Sequence, residues 1–275
     1  MIVWHLVRRS AFAGVACAAL VATATPASAV TFSTGAVAMY TNNGGIGPDL
    51  PATIPEAADF GVWLTAGGHT LVHAWTDGNV FGSDFRDGTD LDPGGASDIA
   101  AVYFFTGHGS CENPPTASSG DFIIVHGNHG TPDGTNIGMS SRWGNNGGKA
   151  RFMLLDASCP MDLVSLHKDW FPVFKGLHVA TGHSGDVNHD TLDSESRGSD
   201  FAQELVDTSG SNARSVGSAW MDTGTEDVQD DVCAVVIAAG NTRNDAIDRR
   251  EHEKLKDNRS APIPHWFAWR WTCDQ

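Results

Sequence analysis

Two uninterrupted apolar runs, residues 100–105 and 152–155, constrain the fold of this chain more than any other feature of its sequence. A strand that faces water on one side alternates apolar and polar residues. A continuous apolar run is instead typical of a strand that is covered on both faces, as in a parallel sheet between layers of helices. The two runs therefore predict buried strands of such a sheet.

Shorter patterns along the chain agree with this architecture. Predicted strands span residues 36–40, 70–75, 99–106, 122–125, 152–155, 176–180 and 232–238, and predicted helices span 54–64, 161–170, 200–206, 213–221 and 245–256. Strands that alternate with helices favour a three-layer α/β domain with a mostly parallel central sheet. Because no repeat or low-complexity linker divides the chain, we predict one domain over residues 30–275. Its Trp-rich C-terminal tail is expected to pack back onto the domain.

The N-terminus predicts export. Residues 1–29 combine a basic pair at 8–9, an apolar stretch over 11–21 and a small-residue A-x-A sequence at 27–29, which together indicate a cleaved signal peptide. The apolar stretch is shorter than the ~20 residues of a membrane span, although a short N-terminal anchor is an alternative. We therefore expect a secreted protein without a membrane segment once the signal is removed.

The charge of the chain excludes one class of partner. There are 17 Lys and Arg residues against 33 Asp and Glu residues, which gives a formal net charge of −16. Domains that bind nucleic acid carry a basic surface that neutralises phosphates. We therefore expect no nucleic-acid partner, and the sequence leaves the oligomeric state open.

Reactive side chains follow both apolar runs. His108-Gly109 comes after the first run, and Ser158-Cys159 comes shortly after the second. Ligand sites of open α/β sheets lie outside the carboxyl ends of the strands, so His108 and Cys159 are expected to share one cleft. A helix is predicted to begin after Cys159 with Pro160 in its first position, and a helix N-terminus favours the thiolate.

This pair of strand ends resembles the caspase–gingipain–legumain–clostripain superfamily of cysteine peptidases. Residues 36–238 are also similar to a group of uncharacterised bacterial domains related to that superfamily. The resemblance implies a caspase-like fold and hydrolysis of a protein or peptide substrate through a thioester. Cys159 would be the nucleophile, and His108 would protonate the leaving amine. The backbone N–H groups of Gly109 and Cys159 would hold the oxyanion.

The resemblance also points to a substrate pocket, but with a departure. Several members of the superfamily place the acidic or polar residue that lines this pocket two positions before the nucleophile. Ala157 occupies that position here, and Asp156 lies one residue further back. Since side chains alternate faces along a strand, Asp156 is a weak candidate for the pocket.

The cysteines leave two outcomes open. Removal of the signal takes Cys17 and leaves Cys111, Cys159, Cys233 and Cys273 in an oxidising compartment. Two disulfides, Cys111–Cys159 and Cys233–Cys273, would consume all four cysteines and leave an inactive caspase-like binding or scaffold domain. A single Cys233–Cys273 disulfide would instead leave Cys159 available as the nucleophile.

A serine hydrolase is a further alternative. Ser184 stands in the sequence Gly-His-Ser-Gly-Asp, which half-resembles the G-x-S-x-G nucleophile elbow of α/β-hydrolases. His252 or His265 would then be the base. The motif departs from the pattern because Asp186 replaces its last glycine and the residues that follow read as a loop.

No cofactor or catalytic metal is predicted to be required. His126 and His129 could approach His108, but their spacing matches no zinc motif. The acidic segments 84–98, 186–193 and 226–231 could hold a structural calcium ion, which prefers oxygen ligands. None of them follows the Asp-x-Asp-x-Asp-Gly pattern, and solvated loops are the alternative.

Overall fold

A computed structural model of the chain describes residues 29–40, 47–85, 97–110, 122–126, 132–136, 141–144, 148–187, 189, 195–206, 213–226 and 232–273. Residues 1–28 of the predicted signal peptide lie outside these ranges, as does Cys111. Within them, no helix combines the length and the apolar character that a bilayer crossing requires.

Ten strands and five α-helices make up the described part of the fold. The strands are β1 (Thr31–Ala36), β2 (Thr70–Thr76), β3 (Val102–Gly107), β4 (Gly109–Ser110), β5 (Phe122–His126), β6 (Pro132–Asn136), β7 (Phe152–Ala157), β8 (Val179–Ser184), β9 (Cys233–Gly240) and β10 (Trp266–Cys273). The helices are α1 (Thr53–Ala66), α2 (Leu166–Trp170), α3 (Glu195–Leu205), α4 (Val216–Thr223) and α5 (Arg243–His252). Strand β1 begins five residues earlier than the sequence pattern predicts.

Seven of the strands form one sheet in the order β10-β9-β8-β7-β3-β1-β2. All neighbours pair in parallel except β9, which is antiparallel to β8 and to β10. The two apolar runs become β3 and β7, which are adjacent and buried at every position. The predicted three-layer α/β fold with a mostly parallel central sheet is thereby confirmed.

The alternation of side chains along β7 divides the core in two. Met153 and Leu155 belong to the layer that includes α2, whereas Phe152 and Leu154 belong to the layer of α1, α3 and α4. Successive residues of a strand point to opposite faces of a sheet. Asp156, two positions after Leu154, therefore lies on the face that α1 and α3 cover.

The Trp-rich tail packs back onto the domain, as predicted, and forms the edge strand β10. A disulfide joins Cys273, at the end of β10, to Cys233 at the start of β9. Trp266, Trp269 and Trp271 nevertheless keep between 41% and 51% of their surface exposed.

His69, just before β2, makes the stability of the fold depend on pH. Its Nδ1 accepts a hydrogen bond from the Val30 amide at 3.2 Å. Burial, with a smaller contribution from Lys256, lowers the pKa of His69 to about 4, while the unfolded chain protonates this ring near the ordinary pKa of about 6.5. The unfolded state therefore binds more protons below about pH 6.5, and stability falls as the pH drops from there to about 4.

We expect this histidine to contribute on the order of 2 kcal/mol to the free energy of unfolding at pH 7, and to lose that contribution by pH 4. Urea unfolding of wild type and His69→Gln across this range measures it. The substituted protein should lose less stability on acidification. Identical pH dependence in both proteins would contradict the prediction.

Candidate functional site

The carboxyl edge of the sheet brings the two predicted strand ends together. Gly107, the last residue of β3, lies opposite Ala157, the last residue of β7. His108 and Ser158 are the next residues of their strands, and both leave the sheet at this edge. The juxtaposition that the sequence predicted for the two segments is therefore present.

The imidazole of His108 is held from several sides. Its ring packs on the ring of Tyr40 with 4.4 Å between centroids, and the Tyr40 hydroxyl accepts a hydrogen bond from the His108 amide at 2.9 Å. Its Nε2 lies 2.9 Å from the carbonyl oxygen of Pro48. Because a carbonyl oxygen can only accept, Nε2 donates a proton to it, and Nδ1 is the acceptor nitrogen of the ring.

Cys159 does not present a free thiol. Its sulfur is disulfide-bonded, and the partner sulfur lies outside the described residues. Only 1% of the residue is exposed, and its φ of 53° places the backbone in the left-handed region. The Cys159 amide donates a hydrogen bond to the carbonyl oxygen of Gly185 at 3.0 Å. In this structure neither the nucleophile nor this donor of the expected oxyanion hole is available.

The predicted helix start at Pro160 is wrong. The residues after Cys159 form turns, and α2 begins only at Leu166. The Cys159 sulfur therefore does not lie at a helix N-terminus, where the sequence pattern placed it.

Ser184 is the last residue of β8, and its Oγ accepts a hydrogen bond from the Leu163 amide at 3.4 Å. No helix begins within residues 185–187. Ser184 pairs with Cys233 at one end of β9, whereas the His265 amide bonds to Gly240 at the other end. Seven residue steps along a strand span roughly 23 Å, so His265 is not a partner for Ser184.

Other predicted ligands lie largely outside the described residues. This applies to the side chains of His126 and His129 and to residues 86–96, 188, 190–193 and 227–231 of the acidic segments.

A buried polar cluster lies beside the strand ends, on the face of the sheet that α1, α3 and α4 cover. We call it the carboxyl-edge cluster. It consists of Glu56 from α1, Asp156 from β7, His183 from β8, His189 from the segment after β8, and Arg197 from α3, each no more than 1% exposed. Asp156 is thus enclosed inside the protein and does not line an open substrate pocket here.

One ion pair anchors the carboxyl-edge cluster. Arg197 Nε lies 2.7 Å from Asp156 Oδ2. The same guanidinium donates to the Glu226 carbonyl oxygen at 3.2 Å and approaches His189 Nδ1 at 3.3 Å. A buried guanidinium offers several donors in a fixed plane, so Arg197 connects β7 to two later segments of the chain.

Further hydrogen bonds hold one polar atom of Glu56 and one of His183. Thr106, which pairs with Asp156 across the two strands, donates its hydroxyl proton to Glu56 Oε2 at 2.5 Å. His183 Nε2 lies 2.7 Å from the Gly224 carbonyl oxygen. Because that oxygen accepts, His183 carries its proton on Nε2, and its Nδ1 faces Asp156 Oδ1 at 3.6 Å.

The protonation states of the cluster follow from the burial of its side chains and from the positive charge of Arg197. Burial, reinforced by the neighbouring Asp156, raises the pKa of Glu56 well above its usual value. Burial also favours the neutral form of Asp156, but Arg197 and His189 hold the pKa of this carboxyl well below its usual range. Burial lowers the pKa of His183 to about 4 and that of His189 to about 3. At neutral pH the cluster therefore contains one carboxylate, one carboxylic acid and two neutral imidazoles.

Close packing of two helices makes this arrangement possible. A Cβ at Gly198 would lie 2.6 Å from Glu56 Cγ and 2.9 Å from the Glu56 carbonyl oxygen. Only glycine lets α3 approach α1 at this point, which brings Arg197 and Glu56 to the same carboxylate.

Three members of the cluster could hold a metal ion. Glu56, Asp156 and His189 each offer one ligand atom, and these atoms lie within 4.8 Å of one another. Of these three, the sequence pointed only to Asp156, as a weak substrate-pocket candidate that the resemblance placed near Cys159. Glu56 and Arg197 lie in helices with no recognisable motif around them, so only the tertiary packing reveals their roles.

Comparison with known proteins yields one family. The model of a family described as Domain of unknown function (DUF6345) matches residues 36–272. No curated protein matches the chain.

Proposed function

We propose that this chain, which belongs to the DUF6345 family, is an exported domain of caspase-like fold that binds a protein or peptide without hydrolysing it. The disulfide at Cys159 carries this proposal. A cysteine peptidase needs a thiolate to attack the peptide carbonyl. A sulfur that is already bonded to another sulfur cannot supply one.

Two further observations support an inactive site. The Cys159 amide, expected to stabilise an oxyanion, already donates to Gly185. The 1% exposure of Cys159 also leaves no path by which a substrate carbonyl could reach its sulfur. Activation of such a site would require both reduction and rearrangement of the turn after β7.

The number of cysteines in the chain suggests which residue is bonded to Cys159. Cys233 and Cys273 are bonded to each other, so only Cys17 and Cys111 can pair with Cys159 within one chain. Removal of the predicted signal peptide leaves Cys111, three residues after His108. A Cys111–Cys159 disulfide would tie the segment after His108 to the end of β7 and close the expected cleft.

The edge strand β10 offers a surface that fits a binding role. Within the described residues, β10 pairs only with β9, and Trp266, Trp269 and Trp271 are about half exposed along it. Tryptophan is enriched at protein interfaces. An extended peptide segment that pairs with the outer edge of β10 would bury these rings.

Thiol mapping tests the proposed function. The exported protein is purified without reductant, treated with iodoacetamide, and analysed by mass spectrometry before and after reduction. We expect no label on Cys159 in the native protein and full labelling after reduction. Cleavage of a mixed peptide library should stay at background for both wild type and Cys159→Ala.

Two results would contradict the proposal, and they point to different enzymes. Labelling of native Cys159, with peptide cleavage that Cys159→Ala abolishes, would establish a cysteine peptidase that uses His108. Hydrolysis that survives Cys159→Ala but is lost in Ser184→Ala would establish a serine hydrolase.

Structural calcium in the acidic segments stays a proposal as well. Its basis is the clustering of carboxylates at 84–98, 186–193 and 226–231. Binding there would raise the melting temperature in millimolar Ca²⁺ through preferential binding to the folded state. An unchanged melting temperature in Ca²⁺ would remove the proposal.

A further inference from the structure

Four buried atoms of the carboxyl-edge cluster have no hydrogen-bond partner among the described residues. They are Glu56 Oε1, Asp156 Oδ1, His183 Nδ1 and His189 Nε2. Each belongs to a different side chain, and each side chain is no more than 1% exposed. Buried polar atoms are normally paired, and each one left unpaired costs about 1–3 kcal/mol. The neutral Glu56 carboxyl can share its proton with Asp156, but the two imidazole nitrogens have no comparable partner among the described residues and require a physical explanation.

The second polar atom of each of these side chains has a partner or a facing group. Asp156 Oδ2 accepts from Arg197, Glu56 Oε2 accepts from Thr106, and His183 Nε2 donates to Gly224. His189 Nδ1 accepts from the Arg197 guanidinium at 3.3 Å and lies 3.6 Å from Glu56 Oε2. Metal ligands have this arrangement, because one atom binds the ion while the other is oriented by an outer partner.

The distances fit coordination better than hydrogen bonding. His183 Nδ1 and His189 Nε2 lie 3.6 Å and 3.7 Å from Asp156 Oδ1, beyond hydrogen-bond length. A tetrahedral zinc ion with ligand bonds of about 2.0–2.1 Å separates its ligand atoms by about 3.3–3.4 Å. Both distances to Asp156 Oδ1 therefore lie within a few tenths of an ångström of the separation between two corners of such a tetrahedron.

We propose that the carboxyl-edge cluster is a structural site for a divalent transition metal, best matched by Zn²⁺, with Glu56, Asp156 and His189 as ligands and with His183, which lies 3.6 Å from Asp156, moving closer to the other two to become the fourth. Two imidazoles and two carboxylates favour zinc over Ca²⁺ and Mg²⁺, which prefer oxygen-only ligands. The site is closed to substrate because all four side chains are buried. It is therefore structural and does not activate water for catalysis.

Binding the ion requires a defined rearrangement of protons. The proton on the Glu56 carboxyl leaves to solvent, so that Oε1 can coordinate. In the described state Nδ1 of the neutral His189 ring accepts from Arg197, so its single proton is on Nε2. Binding moves that proton to Nδ1, where it faces Glu56 Oε2, frees Nε2 for the ion and opens the contact with the Arg197 guanidinium. Arg197 keeps its bonds to Asp156 and to the Glu226 carbonyl oxygen.

Another buried charged group in the fold shows the contrast. Glu253, fully buried near the start of β8, has both carboxylate oxygens within reach of a partner: His178 and Arg151 at Oε1, and Arg249 at Oε2. Each acceptor atom of that group, including His178 Nδ1, faces a donor. In the carboxyl-edge cluster, by contrast, His183 Nδ1 faces Asp156 Oδ1 as one acceptor facing another.

Metal uptake by the full exported chain, with its disulfides intact, tests the site. The protein is stripped with EDTA, loaded with Zn²⁺ or Co²⁺, freed of excess metal by gel filtration and analysed for metal content. We expect about one equivalent of either metal per chain, with visible absorption bands of tetrahedral Co²⁺ that Zn²⁺ abolishes. The variants Glu56→Gln and His189→Gln should weaken binding at least about 100-fold.

His69→Gln is the matched control, since His69 is also buried with an unpaired Nε2 but lies outside the cluster. It should keep the full equivalent of metal. If the ligand variants fail to fold, Thr106→Val removes only the hydroxyl that orients Glu56 and should weaken binding about 10-fold. Wild-type protein that retains no metal, or equal loss in His69→Gln and His189→Gln, would overturn the proposal.

Discussion

Replacement of Arg197 by leucine is expected to lower the free energy of unfolding by about 3–5 kcal/mol. The guanidinium is the only cation in contact with Asp156 within the described residues, and both side chains are fully buried. Without it, a carboxylate stays inside the protein next to a neutral Glu56 and two neutral imidazoles. The cost is the desolvation of an unpaired charge, far more than the loss of one hydrogen bond.

Urea unfolding in the presence of EDTA measures this effect separately from any metal. Arg214→Leu is the matched control, because Arg214 also pairs with two carboxylates, Glu204 and Asp222, but its side chain is 36% exposed. Exposed ion pairs contribute about 0–1 kcal/mol, so this variant should stay near wild type. A loss in Arg197→Leu no larger than the loss in Arg214→Leu would show that Asp156 is not charged in the folded protein.

A double variant separates the ion pair from the packing around it. Arg197→Leu combined with Asp156→Leu removes both charges and replaces them with apolar side chains. Buried ion pairs exchanged in this way are often neutral in stability. We therefore expect the double variant to recover at least about half of the stability that Arg197→Leu loses.

The central sheet could be predicted because its strands are covered on both faces. Residues 100–105 and 152–155 are uninterrupted apolar runs, and burial on both faces is the physical cause of that pattern. The same reasoning brings His108 and Cys159 to one edge, since parallel strands end together. Weaker patterns gave poorer boundaries, as for α2, where the left-handed turn at Cys159 delays the helix to Leu166.

The carboxyl-edge cluster could not be predicted in the same way. Its members come from segments separated by up to 141 positions, from Glu56 to Arg197, and only the contact of α1 with α3 at Gly198 brings them together. The sequence named only Asp156, and it did so as a weak substrate-pocket candidate through the resemblance. The state of Cys159 was also left open by the sequence, because four cysteines permit either one bridge or two.

Removal of the Cys233–Cys273 disulfide is the second large effect that we expect. The bond closes a loop with a sequence separation of 40 residues and fastens the edge strand β10 to β9. Constraint of a loop of that length in the unfolded chain stabilises a protein by about 3–4 kcal/mol. The double variant Cys233→Ala with Cys273→Ala should lose this amount in urea unfolding under oxidising conditions.

The loss in free energy of unfolding should come largely from the missing cross-link, because other contacts still hold β10 in place. Phe267 stacks on Phe171 with 4.0 Å between ring centroids, and β10 pairs with β9 over its full length. In reductant, wild type and the double variant should therefore unfold at the same urea concentration, with β10 still formed. A difference that persists in reductant would mean that the two cysteines stabilise the fold by packing, and equal stability under oxidising conditions would mean that the bridge contributes nothing.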